Sequence, residues 1–288
     1  MSHNRRKFLS LTALSAGAMT LSGSVFGKNA NNNDSDYDLP KSIRDLQPAK
    51  EGIVPITIEE RKQRIQNAQA MMDREKIDAI FLEGTTSCYY FTGMRWGQSE
   101  RTFGVVIPAK GAIAYVCPKF EEDRARELLL PVFGDEVRCW EEHESPYAVI
   151  VGIVKDRGVK HRKIGMEERV RFFIADGVKK VATGFEIVDA TPITAGCRMI
   201  KTKAELALMQ KSSDITILAY QAAFPTIRDG MSQTEFSNNI SAAFRKLGYS
   251  GGASVQIGKY SALPHGSITP QTIREGDVVM VDGGTSCE

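Results

Sequence analysis

The sequence predicts an α/β domain followed by the first part of an α+β domain. Between residues 56 and 193, short apolar runs alternate with longer segments whose apolar residues recur at helical spacing. Beyond residue 194 the pattern changes to two long helical runs and then a β region. The 288 residues, 42% of them hydrophobic and 25% charged, are enough for two such globular domains.

The charge balance argues against a nucleic-acid-binding protein. The formal net charge is +2, but the first 27 residues contain Arg5, Arg6 and Lys7 and no acid. The rest of the chain therefore carries 34 basic and 35 acidic side chains and is about neutral. No run of Lys and Arg with interleaved aromatic residues is present, and such a basic face is what a nucleic-acid partner requires.

The first 27 residues resemble a twin-arginine export signal. Arg5 and Arg6 precede a modestly apolar run that ends near residue 26. This run is too short and too polar to span a membrane, which takes about 20 mainly apolar residues. We therefore expect a periplasmic or otherwise exported protein without a stable membrane span after signal cleavage.

Residues 28–55 are predicted to be a linker or an extended arm, because they are rich in Asn, Asp, Pro and Lys and show little apolar periodicity. The first domain then opens with a helix at 57–75. Thr57 and Glu60 have the spacing of a capping box, and Ile65 and Met72 lie on one helical face.

Alternating elements complete the first domain, which we place at residues 56–193. Ser145 and Pro146 mark a helix start, because proline fits the first helical position. Strands are predicted at 79–82, 102–107, 112–117, 136–140, 163–166 and 185–188, and further helices at 121–130 and 145–155.

The segment 87–96 crowds aromatic residues, an arginine and a glycine. The favoured interpretation is a core segment that leads into a turn. The alternative is a loop facing the substrate or a second subunit, with Arg95 and Trp96 as candidate contacts.

The second domain, residues 194–288, begins after a predicted connection at 194–198. Thr202 with Glu205 and Ser232 with Glu235 repeat the capping-box spacing ahead of two periodic runs, and Gly248 closes the second helix. A strand is predicted at 253–257.

The last 28 residues contain the candidate functional residues. His265 lies in a predicted turn, and an apolar run at 278–281 leads to Asp282 and then to Gly283 and Gly284. We expect Asp282 to end the strand and the glycines to turn the backbone sharply, which is one way to present a metal ligand. From chemistry alone, an aspartate at a strand end is more often a turn residue or a cap.

The order of these motifs resembles the creatinase, prolidase and aminopeptidase P superfamily. The resemblance implies a creatinase-like N-terminal domain at 56–193 and the first part of a pita-bread catalytic domain at 194–288. Its matching segments are 61–93, 199–206, 262–266 and 278–284.

The resemblance also implies an activity. It points to an Xaa-Pro metallopeptidase, aminopeptidase P-like or prolidase-like, that hydrolyses peptide bonds next to proline with water activated by two divalent metal ions (Mn, Co, Zn or Fe). Asp282 would be the first of five metal ligands. His265 would face the substrate near the scissile bond, where a histidine can donate a hydrogen bond or shuttle a proton. A proline-containing peptide is the implied substrate and a homodimer the implied assembly of the full-length parent.

The chain departs from the family pattern because the other four ligands would follow Glu288. We therefore expect the sequence to be a fragment, and the chain by itself to be inactive. Two alternatives stay open: a creatinase-like hydrolase of the same fold that works without the metal pair, and a non-catalytic interaction protein if the chain truly ends at Glu288.

Five widely spaced cysteines show neither zinc-ribbon nor dithiol-motif spacing, and we expect most of them in the core. The sequence does not indicate whether any two of them pair.

Overall fold

The structure is a computed structural model that describes residues 39–129 and 136–287. The predicted export signal and the first part of the predicted linker lie outside these residues. The described residues form two compact units, one of residues 52–211 and one of residues 39–51 together with 212–287.

Helices and strands of the described residues are numbered in chain order. The helices are α1 (Lys41–Arg44), α2 (Ile58–Glu75), α3 (Thr86–Thr92), α4 (Glu122–Leu129), α5 (Pro146–Asp156), α6 (Phe172–Val181), α7 (Thr191–Met199), α8 (Lys203–Ala223) and α9 (Gln233–Leu247). The strands are β1 (Ala79–Glu83), β2 (Gly104–Pro108), β3 (Ala114–Pro118), β4 (Val137–Trp140), β5 (Lys163–Met166), β6 (Glu186–Asp189), β7 (Gly251–Ile257) and β8 (Val279–Thr285).

The strands of the first unit form one mixed sheet of six strands in the order β4-β3-β2-β1-β5-β6. Strand β1 is antiparallel to β2 and parallel to β5, and β2 is antiparallel to β3. The outer pairs, β3 with β4 and β5 with β6, are parallel. Parallel neighbours need a crossover connection, and α4 and α6 lie in the two connections concerned. The predicted α/β fold class is confirmed.

Helices cover both faces of this sheet. On one face the core includes Ala68 and Met72 of α2, with side chains of α3, α4 and α7. On the other face it includes Ile150 of α5 and Ile174 of α6. Because both faces are buried, the sequences of the central strands are apolar runs and do not alternate between apolar and polar residues.

The predicted helix starts are confirmed, with one difference in the third cap. The Thr57 hydroxyl accepts from the Glu60 N–H at 3.2 Å while the Glu60 carboxylate accepts from the Thr57 N–H at 3.1 Å. Thr202 and Glu205 make the same reciprocal pair. At α9, Ser232 caps the helix, but the side chain of Glu235 accepts from Arg228 at 2.5 Å, so only the first half of the predicted box forms there.

Three helices of the first unit differ from the sequence expectations. Tyr89, Tyr90 and Phe91 of segment 87–96 lie in α3, where Phe91 is fully buried, so the interpretation as a core segment is correct up to Thr92. The predicted connection at 194–198 belongs to α7, whose first turn contains Pro192. Helix α6 was not predicted at all. Its buried residues are Ile174, Gly177 and Val178, and a short stripe of this kind is ambiguous in sequence.

In the second unit, α9 packs against a two-stranded antiparallel sheet of β7 and β8. Part of the segment predicted as a linker or extended arm is ordered here. Ile43 of α1 is fully buried, the Ala49 N–H donates to the Leu247 carbonyl at 3.0 Å, and the Tyr249 hydroxyl donates to the Ala49 carbonyl at 3.0 Å. No helix among the described residues has the length and hydrophobicity needed to cross a membrane.

Candidate active site

Asp282 lies in the middle of β8 and not at its end. It is the register partner of Ser254 on β7, and Gly283 and Gly284 continue the ladder opposite Ala253 and Gly252. The expectation that these glycines turn the chain is wrong, since neither has a positive φ. A Cβ on Gly283 would lie 2.1 Å from the Gly252 carbonyl oxygen, so glycine there permits the close approach of β7.

One face of the β7–β8 hairpin is buried, and the other face carries Asp282. Val255 and Ile257 are 1% and 3% exposed. On β7, the backbone carbonyls of Ala253 and Val255 accept from the α9 side chains of Ser237 and Gln233. Because side chains alternate along a strand, Asp282, Ser254 and Gln256 share the other face. Asp282 is exposed there, so its carboxylate is accessible to a ligand.

His265 lies in a tight turn that follows a short 3₁₀ segment, Gly258–Ala262. The Gly266 N–H donates to the Leu263 carbonyl at 3.0 Å, and Gly266 has φ +76°, a conformation that favours glycine. The side chain of His265 is exposed. The predicted histidine turn is therefore present.

The buried side chain of Gln256, 3% exposed, connects this turn to the hairpin. Its Oε1 accepts from the Ser267 N–H at 3.2 Å and from Gln271 Nε2 at 2.9 Å, and its Nε2 donates to Ser254 Oγ at 3.3 Å. Gln271 in turn accepts from the Ile257 N–H at 2.6 Å.

The network places the two predicted site residues on one framework. His265 is two residues from Ser267, which Gln256 holds, and Asp282 lies directly across the ladder from Ser254. Sequence reasoning missed Gln256, although a glutamine between Val255 and Ile257 in a predicted strand indicates a polar residue on the face opposite the core.

A third side chain, Tyr220 of α8, lies within electrostatic reach of Asp282. Burial raises the pKa of the Tyr220 phenol, and the negative charge of Asp282 raises it further. The Tyr220 hydroxyl is buried and has no hydrogen-bond partner among the described residues. It was not predicted, because it falls in an ordinary amphipathic run.

The residues present do not by themselves fit a pair of metal ions. Asp282 supplies one carboxylate, and within 39–129 and 136–287 no group of three His, Cys, Asp or Glu side chains could hold a metal. Two divalent ions a few ångströms apart need several carboxylates to offset their charge.

The other candidates lie in the first unit. Arg95 stacks over the Tyr89 ring at 4.2 Å and donates to its hydroxyl at 2.8 Å. Trp96 stacks on Phe103 with ring centroids 3.9 Å apart, and the Arg124 guanidinium lies over the Trp96 ring, 4.8 Å from its centroid. These contacts hold the 95–96 segment against its own unit, and they leave its predicted role at a neighbouring subunit a prediction.

Two families of known proteins match consecutive parts of the chain. Residues 64–200 match the creatinase/prolidase N-terminal domain, and residues 207–288 match metallopeptidase family M24. The second family consists of metallopeptidases, enzymes that hydrolyse peptide bonds with the help of a bound metal ion.

Curated relatives are peptidases and are longer than this chain. An uncharacterized peptidase of Schizosaccharomyces pombe is 31% identical over 251 residues, which cover 81% of this chain and 53% of the relative. An Xaa-Pro dipeptidase of Pyrococcus furiosus is 27% identical over 228 residues, covering 77% of this chain and 60% of the relative. The chain thus spans between half and about three fifths of the length of these relatives.

Solved structures show the same fold. Dipeptidase PepE from Mycobacterium ulcerans superposes with a TM-score of 0.71 at 21% identity, covering 81% of this chain and 62% of the other. Aminopeptidase P from E. coli gives a TM-score of 0.64 at 16% identity, covering 81% and 60%. The predicted combination of an N-terminal creatinase-type domain with the start of a pita-bread domain is confirmed.

Proposed function

We propose that this chain belongs to a peptidase that cleaves peptide bonds next to proline. It joins a creatinase/prolidase N-terminal domain to the first part of an M24 metallopeptidase domain. The observation that carries the proposal is the Gln256 network, which fixes the His265 turn on the hairpin that bears Asp282. The named activity of the Pyrococcus furiosus relative supports the choice of substrate, in either a prolidase-like or an aminopeptidase P-like form.

Each of the two residues has a role that suits its position. His265 is exposed on a hydrogen-bonded turn, so its imidazole can donate a hydrogen bond to a bound peptide or move a proton near the scissile bond. Asp282 is an exposed carboxylate on a strand, which suits one ligand of a centre with two divalent ions, Mn, Co, Zn or Fe. One carboxylate cannot complete such a centre, so we assign no further catalytic step to the described residues.

Hydrolysis of Gly-Pro tests the proposal in the protein as the cell makes it, including any residues beyond Glu288. We expect Mn²⁺-dependent cleavage of Gly-Pro and much slower cleavage of Gly-Leu. Asp282→Asn and His265→Ala should each lower kcat/KM by roughly 100-fold or more, while Asp277→Asn, an exposed acid of the same unit, should leave it nearly unchanged. Equal cleavage of both dipeptides, or full activity of the Asp282→Asn variant, contradicts the proposal.

The match to the creatinase/prolidase N-terminal domain also keeps open a creatinase-like hydrolase that needs no metal pair. A chelator separates the two: EDTA abolishes a two-metal peptidase and leaves the alternative active. A protein that hydrolyses no substrate of either class under these conditions supports the third possibility, a non-catalytic interaction protein. The 288-residue chain by itself is expected to hydrolyse no Gly-Pro above the His265→Ala background.

We also propose export and self-association. Export rests on the Arg5-Arg6 pair, and changing both to lysine should retain the protein in the cytoplasm, as fractionation would show. A homodimer is proposed from the resemblance, and light scattering coupled to size-exclusion chromatography measures it. An exported Arg5→Lys, Arg6→Lys variant or a monomer in solution contradicts the respective proposal.

A further inference from the structure

Two of the five cysteines are direct neighbours across the sheet of the first unit. Cys117 on β3 is the register partner of Cys139 on the parallel strand β4. Register partners in a ladder project their side chains from the same face. Consistent with this, Cys117 is buried in the core on that face, and Cys139 is partly buried and packs against the same core.

The backbone spacing of this pair suits a covalent bond. Hydrogen-bonded strands lie about 4.8 Å apart. A disulfide is compatible with Cα atoms roughly 4.4 to 6.8 Å apart, so the spacing of neighbouring strands falls within the range that a disulfide bridges. In the structure both sulfurs are thiols: Cys117 Sγ donates to the Pro118 carbonyl, and Cys139 hydrogen-bonds to the Glu122 carboxylate.

We propose that Cys117 and Cys139 are a redox pair that forms an intramolecular disulfide when the protein meets a disulfide oxidant. The proposal is independent of the peptidase function. The site it assigns is a modification site on the edge of the N-terminal sheet.

The chemistry is thiol–disulfide exchange. Cys139, the more accessible of the two, attacks one sulfur of the oxidant as the thiolate and releases one thiolate of the oxidant. Cys117 then attacks the Cys139 sulfur and releases the second thiolate. Two protein thiols are oxidised, one external disulfide is reduced, and the two protons pass from the cysteines to the departing thiolates.

Burial of the two thiols makes this exchange slow near neutral pH. Burial raises the pKa of Cys139 to about 11, with a further contribution from its hydrogen bond to Glu122. Burial raises the pKa of Cys117 to about 12. The thiolate fraction therefore increases about tenfold with each pH unit below these values, and the rate of oxidation should follow it.

The bond would join the edge strand β4 to its neighbour. Strand β4 is last in the sheet order, and within 39–129 and 136–287 it pairs with β3 alone, over four residues. Closing the loop between residues 117 and 139 restricts the unfolded chain, and a melting temperature higher by roughly 6 to 12 °C is expected for the first unit.

The test is direct mapping of the bond. The full chain is reduced, separated from the reductant, incubated with oxidised glutathione at pH 8 or pH 9, alkylated with N-ethylmaleimide and digested for mass spectrometry. We expect a peptide pair linked through Cys117 and Cys139, formed about ten times faster at pH 9. Cys139→Ser should abolish it, and Cys197→Ser, a change at another partly buried cysteine, should not.

A second variant tests the electrostatic reason. Glu122→Gln removes the carboxylate that raises the pKa of Cys139, so it should speed bond formation several-fold, whereas Glu127→Gln, exposed on the same helix, should not. The proposal is overturned if glutathione remains attached to Cys139 with no internal bond, if the bond joins other cysteines, or if no disulfide forms at either pH.

Discussion

Replacing Gln256 with leucine tests whether this side chain holds the histidine turn on the hairpin. Leucine has a similar volume, so the change removes hydrogen bonds without opening a large cavity. It leaves the partly buried Ser267 N–H and the buried Gln271 Nε2 without the acceptor that they share in the native protein. Each unsatisfied group costs about 1–3 kcal/mol, and we expect a loss of about 2–4 kcal/mol in the free energy of unfolding of the second unit.

Native-state hydrogen exchange measures this effect locally. The Ser267 amide should lose protection in Gln256→Leu, together with the Ile257 amide, whose acceptor is Gln271. Urea unfolding gives the total free energy. A matched control is Gln63→Leu on the exposed face of α2, where the lost bond is to Asn67, and where we expect a change within about 0.5 kcal/mol.

The proposed role of Gln256 fails if Gln256→Leu unfolds at the same urea concentration as the parent. It also fails if the Ser267 amide keeps its protection while stability drops, because the turn would then be held by other contacts.

Three further predictions concern single positions. Gly283→Ala should destabilise the second unit by more than about 2 kcal/mol, because the added Cβ would meet the backbone of β7. Gly284→Ala should cost far less, because the nearest atom to its added Cβ is 3.5 Å away. Thermal unfolding of the two variants measures the difference. Asp282→Asn should lower the pKa of Tyr220 toward its ordinary value of 10.0, since it removes a negative charge, and ultraviolet titration against Tyr220→Phe measures the shift. Burial raises the pKa of Glu167, so above the ordinary pKa of 4.5 the folded state binds more protons than the unfolded state. The free energy of unfolding should therefore fall as the pH rises from 4.5 through the raised pKa. Glu167→Gln should remove this pH dependence, which urea unfolding at several pH values measures.

Local sequence patterns predicted most of the secondary structure because the physical causes are local. The capping boxes at Thr57 and Thr202 require only residues three apart, and both form. The left-handed Gly248 ends α9 at the predicted position. Helix α3 was less predictable, since its seven residues are held largely by burial of Cys88 and Phe91 in the core rather than by a periodic stripe.

By itself, the sequence determined the α/β alternation, the order of the two domains and the presence of a histidine turn followed by a strand with a carboxylate. Only the tertiary structure decided that Asp282 lies within its strand and that Gly283 permits the close approach of β7. It also decided that Gln256 connects the His265 turn to the hairpin. The physical reason is the separation along the chain between the residues that interact. A cap depends on neighbours along one helix, whereas strand register and the partners of a buried amide depend on residues that only folding brings together.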